Sequence, residues 1–362
     1  MIKKSVALYI IFSIMLSCIL SSCSNTDQNT SNGDTGKSTE ITGKDTEASA
    51  LSNNKKEDSA SKNIDEQGKK DIPSDTEDLN NDSIDKTKKE ANEKESAEYD
   101  EPEDKTMDYI DRLNYDRSRL LTKTEYYDSL DNSCPNTWCF ERKKNHEPSG
   151  TYENFKIKDY QGVYLKEDVS ADDKVIYLTF DCGYPSDLTV KILDTLAKHN
   201  AKASFFVTKM YLEECAEYAK RMKQEGHMVC NHTVTHTDLL KKSVEGIAAE
   251  IFDVAEYFYE VTGYEFDPYL RTPTGSYSKR LMSIIRDAGY LTVFWSIAYG
   301  DYDPKNQPEP GYVTNHFATY HHNGAIALMH NDSPSNANEL DAVLTLLENE
   351  GYRFGLLNEL DY

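Results

Sequence analysis

Five polar clusters in this chain hold the groups that acid–base and metal chemistry needs. Thr179-Phe180-Asp181-Cys182-Gly183-Tyr184 places a carboxylate and a thiol side by side. Asn231-His232-Thr233-Val234-Thr235-His236 offers two imidazoles four residues apart. In a helical turn that spacing puts both rings on one side, where neutral imidazole nitrogens suit zinc. The other reading is a pair of hydrogen-bonded loop histidines. Arg271-Thr272-Pro273-Thr274-Gly275 supplies a guanidinium, Asp301 a second carboxylate and His330 a third imidazole. Any one of these could be a capping or core residue. Five at comparable places in a repeating pattern are hard to explain that way.

The pattern is a strand–helix alternation. Val175-Ile176-Tyr177-Leu178 is an apolar, β-branched run that reads as a buried strand ending at Asp181. Helices are expected over 186–199, 212–225, 243–261, 278–288, 313–320 and 338–350. Strands are expected over 203–207, 228–230, 269–270, 291–295, 325–329 and 354–356. Units of this size predict an α/β fold, a distorted (β/α) barrel of parallel strands with helices outside. Each polar cluster then falls at or just past the end of a strand. In such a barrel the carboxyl ends of the strands form one face, and the five clusters would meet there. Upstream, 108–127 reads as a helix, and 138–165 as an irregular apron with short strands.

Ahead of this the composition changes. Met1-Ile2-Lys3-Lys4 and the apolar run to Leu20 make an export leader rather than a permanent span. Leu20-Ser21-Ser22-Cys23 resembles a bacterial lipobox, which marks Cys23 for lipidation and implies a membrane link through a lipid anchor; an ordinary signal peptide is the other reading. Residues 24–106 are Ser, Thr, Asn, Asp, Glu and Lys with almost no large apolar side chain. Such a stretch cannot bury enough surface to offset its ordering entropy, so it reads as a disordered acidic linker. A coil of that length spans about 50 Å r.m.s.. The net charge of −23 argues against nucleic acid as a partner. Cys134 and Cys139 are close enough in sequence for a small disulfide loop. The expected organisation is a leader over 1–23, the linker over 24–106, an N-terminal extension over 107–171 and a catalytic domain over 172–362.

With the motifs in order, the sequence resembles the polysaccharide deacetylases with a NodB homology domain, carbohydrate esterase family 4. The family's Thr-Phe-Asp-Asp-Gly, His-Ser/Thr-x-x-x-His, Arg-x-Pro-x-Gly, Asp-aromatic and Leu-x-His motifs stand here at 179–183, 232–236, 271–275, 301–302 and 328–330. It is most similar to the delta-lactam branch, which acts on muramic acid of spore-cortex peptidoglycan. That match adds Trp138-x-Phe140, a basic stretch and His146. The resemblance implies an exported hydrolase that removes N-acetyl groups from a cell-wall glycan. In it Asp181 would be the general base and Arg271 its partner. Asp301 would tune His330, the general acid. His232 and His236 would hold a divalent metal, zinc first among them. N-acetylglucosamine as substrate is the alternative within enzymes, and a catalytically dead glycan-binding lipoprotein the alternative outside them.

Two residues depart from the family. Cys182 stands where the family's third metal ligand, an Asp, is usual. A Cys-His-His zinc site, a two-histidine site completed by water, and a site that rarely holds metal are all open at this point. Thr274 stands where the muramic branch often carries Arg, with Lys279 or Arg280 as possible substitutes. Tyr184, Tyr277 and Tyr302 lie near the motifs and are candidates to stack on a sugar ring. Trp295, inside a strand, is expected in the core.

Overall fold

The computed structural model describes residues 108–360. The leader, Cys23 and the acidic linker lie outside the described residues. No helix among the described residues is long and apolar enough to cross a membrane.

The frame is a sheet of parallel strands: β3 (Gly162–Val163), β4 (Val175–Cys182), β5 (Ser204–Val207), β6 (Met228–Asn231), β7 (Asp267–Leu270), β8 (Leu291–Val293), β9 (Ala325–His330) and β10 (Arg353–Phe354). Strand β4 is its centre. All eight of its residues are buried, as expected of a parallel strand covered on both faces. Strand β9 lies along one edge of β4, and β10 and β5 share the other. From β5 the sheet runs through β6, β7 and β8 to β3. It then curls back on itself through single bridges from Leu165 to Ala325 and from Ile297 to Ala327. The result is the distorted barrel expected from the sequence.

Helices α3 (Leu188–Lys198), α4 (Lys209–Gln224), α5 (Val244–Thr262), α6 (Lys279–Asp287), α7 (Tyr312–Tyr320) and α8 (Pro334–Asn349) cover the outside. The side chains of Thr208, Ser243, Ser278 and Ser333 each accept a backbone N–H in the first turn of α4, α5, α6 and α8. These caps set the starts. Ser333 with Pro334 at the first position begins α8 a turn earlier than its apolar pattern suggests. The expected helix over 108–127 is two, α1 (Tyr109–Leu121) and α2 (Thr124–Asp128). Strand β3 comes from the N-terminal extension, whose apron also contains the antiparallel pair β1 (Phe140–Glu141) and β2 (Gly150–Thr151). Cys134 carries a free thiol, so the loop disulfide that its spacing from Cys139 would allow is not formed.

Alternation along β4 sorts two cores. Ile176, Leu178, Phe180 and Cys182 face the helices, packing with Ile192, Leu193 and Tyr211. Val175 and Tyr177 face inward with Phe206, Tyr269, Val293 and Ile326. Continuing the inward face, Thr179 and Asp181 rise above that apolar plug. A third cluster of Trp138, Ile157, Tyr277, Met282 and Phe294 joins the extension to the barrel. The Trp138 indole N–H donates to the Trp295 carbonyl at 2.8 Å, and its backbone N–H to Gly275 at 2.8 Å.

Candidate active site

Arg271 is completely buried at the end of β7, and four acceptors hold it. Nη1 donates to Asp181 Oδ1 at 2.7 Å, and Nη2 to Thr179 Oγ1 at 2.9 Å and the Phe294 carbonyl at 3.3 Å. Nε donates to the Val293 carbonyl at 3.1 Å. Its guanidinium carbon also lies 4.2 Å from the centre of the Phe206 ring. A buried cation this constrained stabilises one arrangement of the carboxylate beside it. Burial alone would raise the Asp181 pKa. The Arg271 charge overrides it, helped by His330, and the carboxyl sits below its ordinary range.

His232 and His236 reach the site from the loop after β6, and the expected helical turn is not what positions them. Thr233 and His236 adopt left-handed backbone, with φ of 73° and 51°. Asn231 Oδ1 accepts the Thr233 N–H at 2.9 Å and Thr233 Oγ1 the His236 N–H at 3.1 Å. Below the loop, Glu250 accepts both the backbone N–H and the hydroxyl of Thr235 and pairs with Lys242. The two rings lie 4.8 Å apart. His232 Nδ1 faces the Arg271 carbonyl at 2.8 Å. A carbonyl can only accept, so Nδ1 carries the proton and Nε2 the lone pair. That lone pair points at Asp181 Oδ2 across 3.6 Å. Burial holds both imidazoles neutral, His236 down to about 3. Neutral nitrogens, one fixed by a backbone carbonyl and turned toward a carboxylate, fit a divalent cation.

Cys182 is not among these donors. It sits on the opposite face of β4 from Asp181, wholly buried in the helix-facing core. Burial, and then the Asp181 charge, push its thiol well above its ordinary pKa. A protonated thiol turned the other way offers no ligand to His232 and His236.

His330 ends β9, and its Cα is the register partner of Asp181 on β4. Asp301 holds it twice, accepting the backbone N–H at 2.8 Å and facing Nδ1 at 2.9 Å. Asn336, at the start of α8, donates to Asp301 Oδ2 at 2.6 Å and to the His330 carbonyl at 3.1 Å. Burial alone would lower this imidazole. The Asp301 charge and hydrogen bond outweigh it, with Asp181 adding to them, and the pKa rises to about 9. The site therefore holds an ionised carboxylate and a protonated imidazole on neighbouring strands, the opposite states that a base and an acid need at neutral pH.

The aromatic candidates separate. The Tyr302 ring lies 6.4 Å from that of His330, at the mouth. Tyr184 is half-buried, and its carbonyl accepts from Asn331. Tyr277 is fully buried against Trp138, Phe155 and Phe294 and cannot meet a sugar. Trp295, expected in the core, is instead half-buried 5.6 Å from the Arg271 guanidinium. Arg280 is tied to Asp128 at 2.9 Å and to the Lys242 carbonyl, so it does not stand in for an arginine at Thr274. Asn336, Glu250 and Asp332 were not apparent as site residues in the sequence. Burial raises the Asp332 pKa, and its charge acts on His330.

The family model for polysaccharide deacetylase matches residues 168–293, which include Asp181, His232, His236 and Arg271. Over 228 residues the chain is 39% identical to the peptidoglycan-N-acetylmuramic acid deacetylase PdaA of Bacillus subtilis, spanning 62% of this chain and 86% of that protein. It is 30% identical over 203 residues to a peptidoglycan-N-acetylglucosamine deacetylase of Bacillus cereus, spanning 54% of this chain and 92% of that one. The solved structure of Bacillus subtilis PdaA, a family 4 carbohydrate esterase, matches with a TM-score of 0.60 and 38% identity over 64% of this chain and 98% of that one. The polar strand ends, the curled parallel barrel and these matches converge on one conclusion: the chain belongs to the polysaccharide deacetylase family.

Proposed function

We propose that this chain hydrolyses the acetamido group of N-acetylmuramic acid in peptidoglycan, leaving a free amine and acetate. The observation that carries the chemistry is the register pairing of Asp181 with His330 in opposite charge states. The choice of sugar is supported by the identity with a muramic acid deacetylase and by the Trp138-to-His146 segment of the delta-lactam branch.

Asp181, held by Arg271, takes a proton from water as the water oxygen attacks the amide carbon. The C–N bond then breaks, and His330 gives its Nε2 proton to the departing nitrogen. Asp301 holds Nδ1 and favours the protonated ring before that transfer. His232 and His236 are the residues that would hold a divalent cation such as zinc, which when bound polarises the amide carbonyl and the water. Tyr302, whose ring lies beside that of His330, and the half-buried Tyr184 are the residues that would meet a pyranose.

The test is acetate release from peptide-stripped glycan strands, with the deacetylated sugar identified by mass. Loss of acetyl from muramic acid is the expected result. Loss from glucosamine alone would move the substrate to N-acetylglucosamine, the activity named for the Bacillus cereus relative. No release from either sugar would favour a glycan-binding lipoprotein.

The leader and Cys23 support export and lipid attachment at the outer face of the cytoplasmic membrane, with residues 24–106 as a tether toward the wall. The protein should then sediment with membranes, and Cys23→Ser should release it. A variant that still sediments would make the apolar leader itself the anchor.

A further inference from the structure

A second group of metal-ligand side chains lies away from the catalytic residues. His321 caps the end of α7 and precedes β9, whereas His330 ends that strand. Six residues of strand, about 17 Å, separate this group from the catalytic mouth. His321 is 1% exposed, and its ring is fixed at both nitrogens. Nδ1 lies 2.7 Å from the Phe317 carbonyl, which can only accept, so this nitrogen carries the proton. Nε2 faces Glu350 Oε2 at 3.1 Å.

His146 completes the group from the N-terminal extension. Its ring stacks on that of His321 with centres 4.0 Å apart. Its Nδ1 lies 2.9 Å from the His321 carbonyl, which can only accept, so this nitrogen too carries a proton. The backbone is bent to place it: Asn145 and His146 both adopt left-handed conformations, with φ of 60° and 58°. Side chains other than glycine hold that region only where surroundings impose it. One ligand atom from each of His146, His321 and Glu350 falls within 4.8 Å of the other two. Each histidine is oriented through Nδ1 by a backbone carbonyl, the outer-shell arrangement that metal-binding histidines use.

We propose that His146, His321 and Glu350 form a second divalent-metal site, of the two-histidine, one-carboxylate kind that suits Zn2+, with water in the fourth position. His146 and Glu350 are exposed, so an ion and its water reach the site from solvent. The ion would clamp the N-terminal extension to the α7–β9 junction and to the end of α8. Its role is structural.

The experiment uses the full chain dialysed against Zn2+ with excess Mg2+, which occupies sites made only of carboxylates. Bound zinc is counted by atomic emission, and the melting temperature is followed with and without zinc. His146→Ala and Glu350→Gln, both surface changes, should each weaken one zinc equivalent by about 10-fold or more and reduce the zinc-dependent rise in melting temperature. His236→Ala should affect a different equivalent, so that His146→Ala combined with it loses both. Zinc binding and melting that are the same in the parent, His146→Ala and Glu350→Gln would overturn the site and leave His321 and Glu350 as an ion pair.

Discussion

Cys182 and Asp181 are consecutive residues with unrelated environments. Asp181 lies among Arg271, His232 and His330, while Cys182 lies among aliphatic and aromatic side chains of the helix layer. A buried protonated thiol is a small hydrophobe there rather than a ligand. Cys182→Ala should therefore keep zinc affinity at the active site and deacetylation within about 2-fold, and lower stability by about 1 kcal/mol through the lost burial. Zinc titration and a denaturant midpoint measure both. A tenfold loss of zinc affinity would put the sulfur back in the coordination shell. Asp181, His232, His236, Arg271, Asp301 and His330 stood out in the sequence as polar residues in the strand–helix pattern, the family resemblance implied their roles, and the structure brings them together. Asn336 and Glu250 did not stand out. Their parts depend on α8 and α5 folding back over loops far from them in the chain. Tyr277 misled for the converse reason: it is near a motif in sequence, but its ring turns into the cluster around Trp138.

Among the elements, the repeating strand–helix units were legible, short strands included, whereas the pairing of the extension with the sheet was not. The apolar run of β4 and the striped helices follow from burial patterns that local sequence contains. Strand β3 is two residues long and exists through its pairing with β8, which no local signal reports. The His232–His236 spacing suggested a helical turn, but two left-handed residues and the side chains of Asn231 and Thr233 make a tighter loop that still brings both rings together. Gly275 shows how closely such turns pack. Its φ is 68°, and a Cβ there would come within 2.8 Å of Trp295, the ring beside Arg271. The Arg-x-Pro-x-Gly pattern is thus a backbone requirement as well as a chemical one.

For the whole molecule, the parallel barrel makes a carboxylate and an imidazole neighbours although they come from distant parts of the chain. Strand β9 lies along β4 with Asp181 opposite His330, and the apolar interior beneath keeps both near the mouth. This pairing holds the carboxylate ionised and the imidazole protonated together. His330 is raised to about 9 against burial by Asp301, so the acid form is present below that pH and lost as pH rises through it. Asp301→Asn removes the charge while keeping a side chain of the same shape. The most direct measurement is kcat/KM for acetate release against pH in the parent and in Asp301→Asn. The parent should hold a plateau through neutral pH and fall near pH 9, while the variant should begin to fall at or below about pH 6.5, the ordinary histidine range. An alkaline limb at the same pH in both proteins would mean that Asp301 does not set the His330 charge and would remove His330 as the acid.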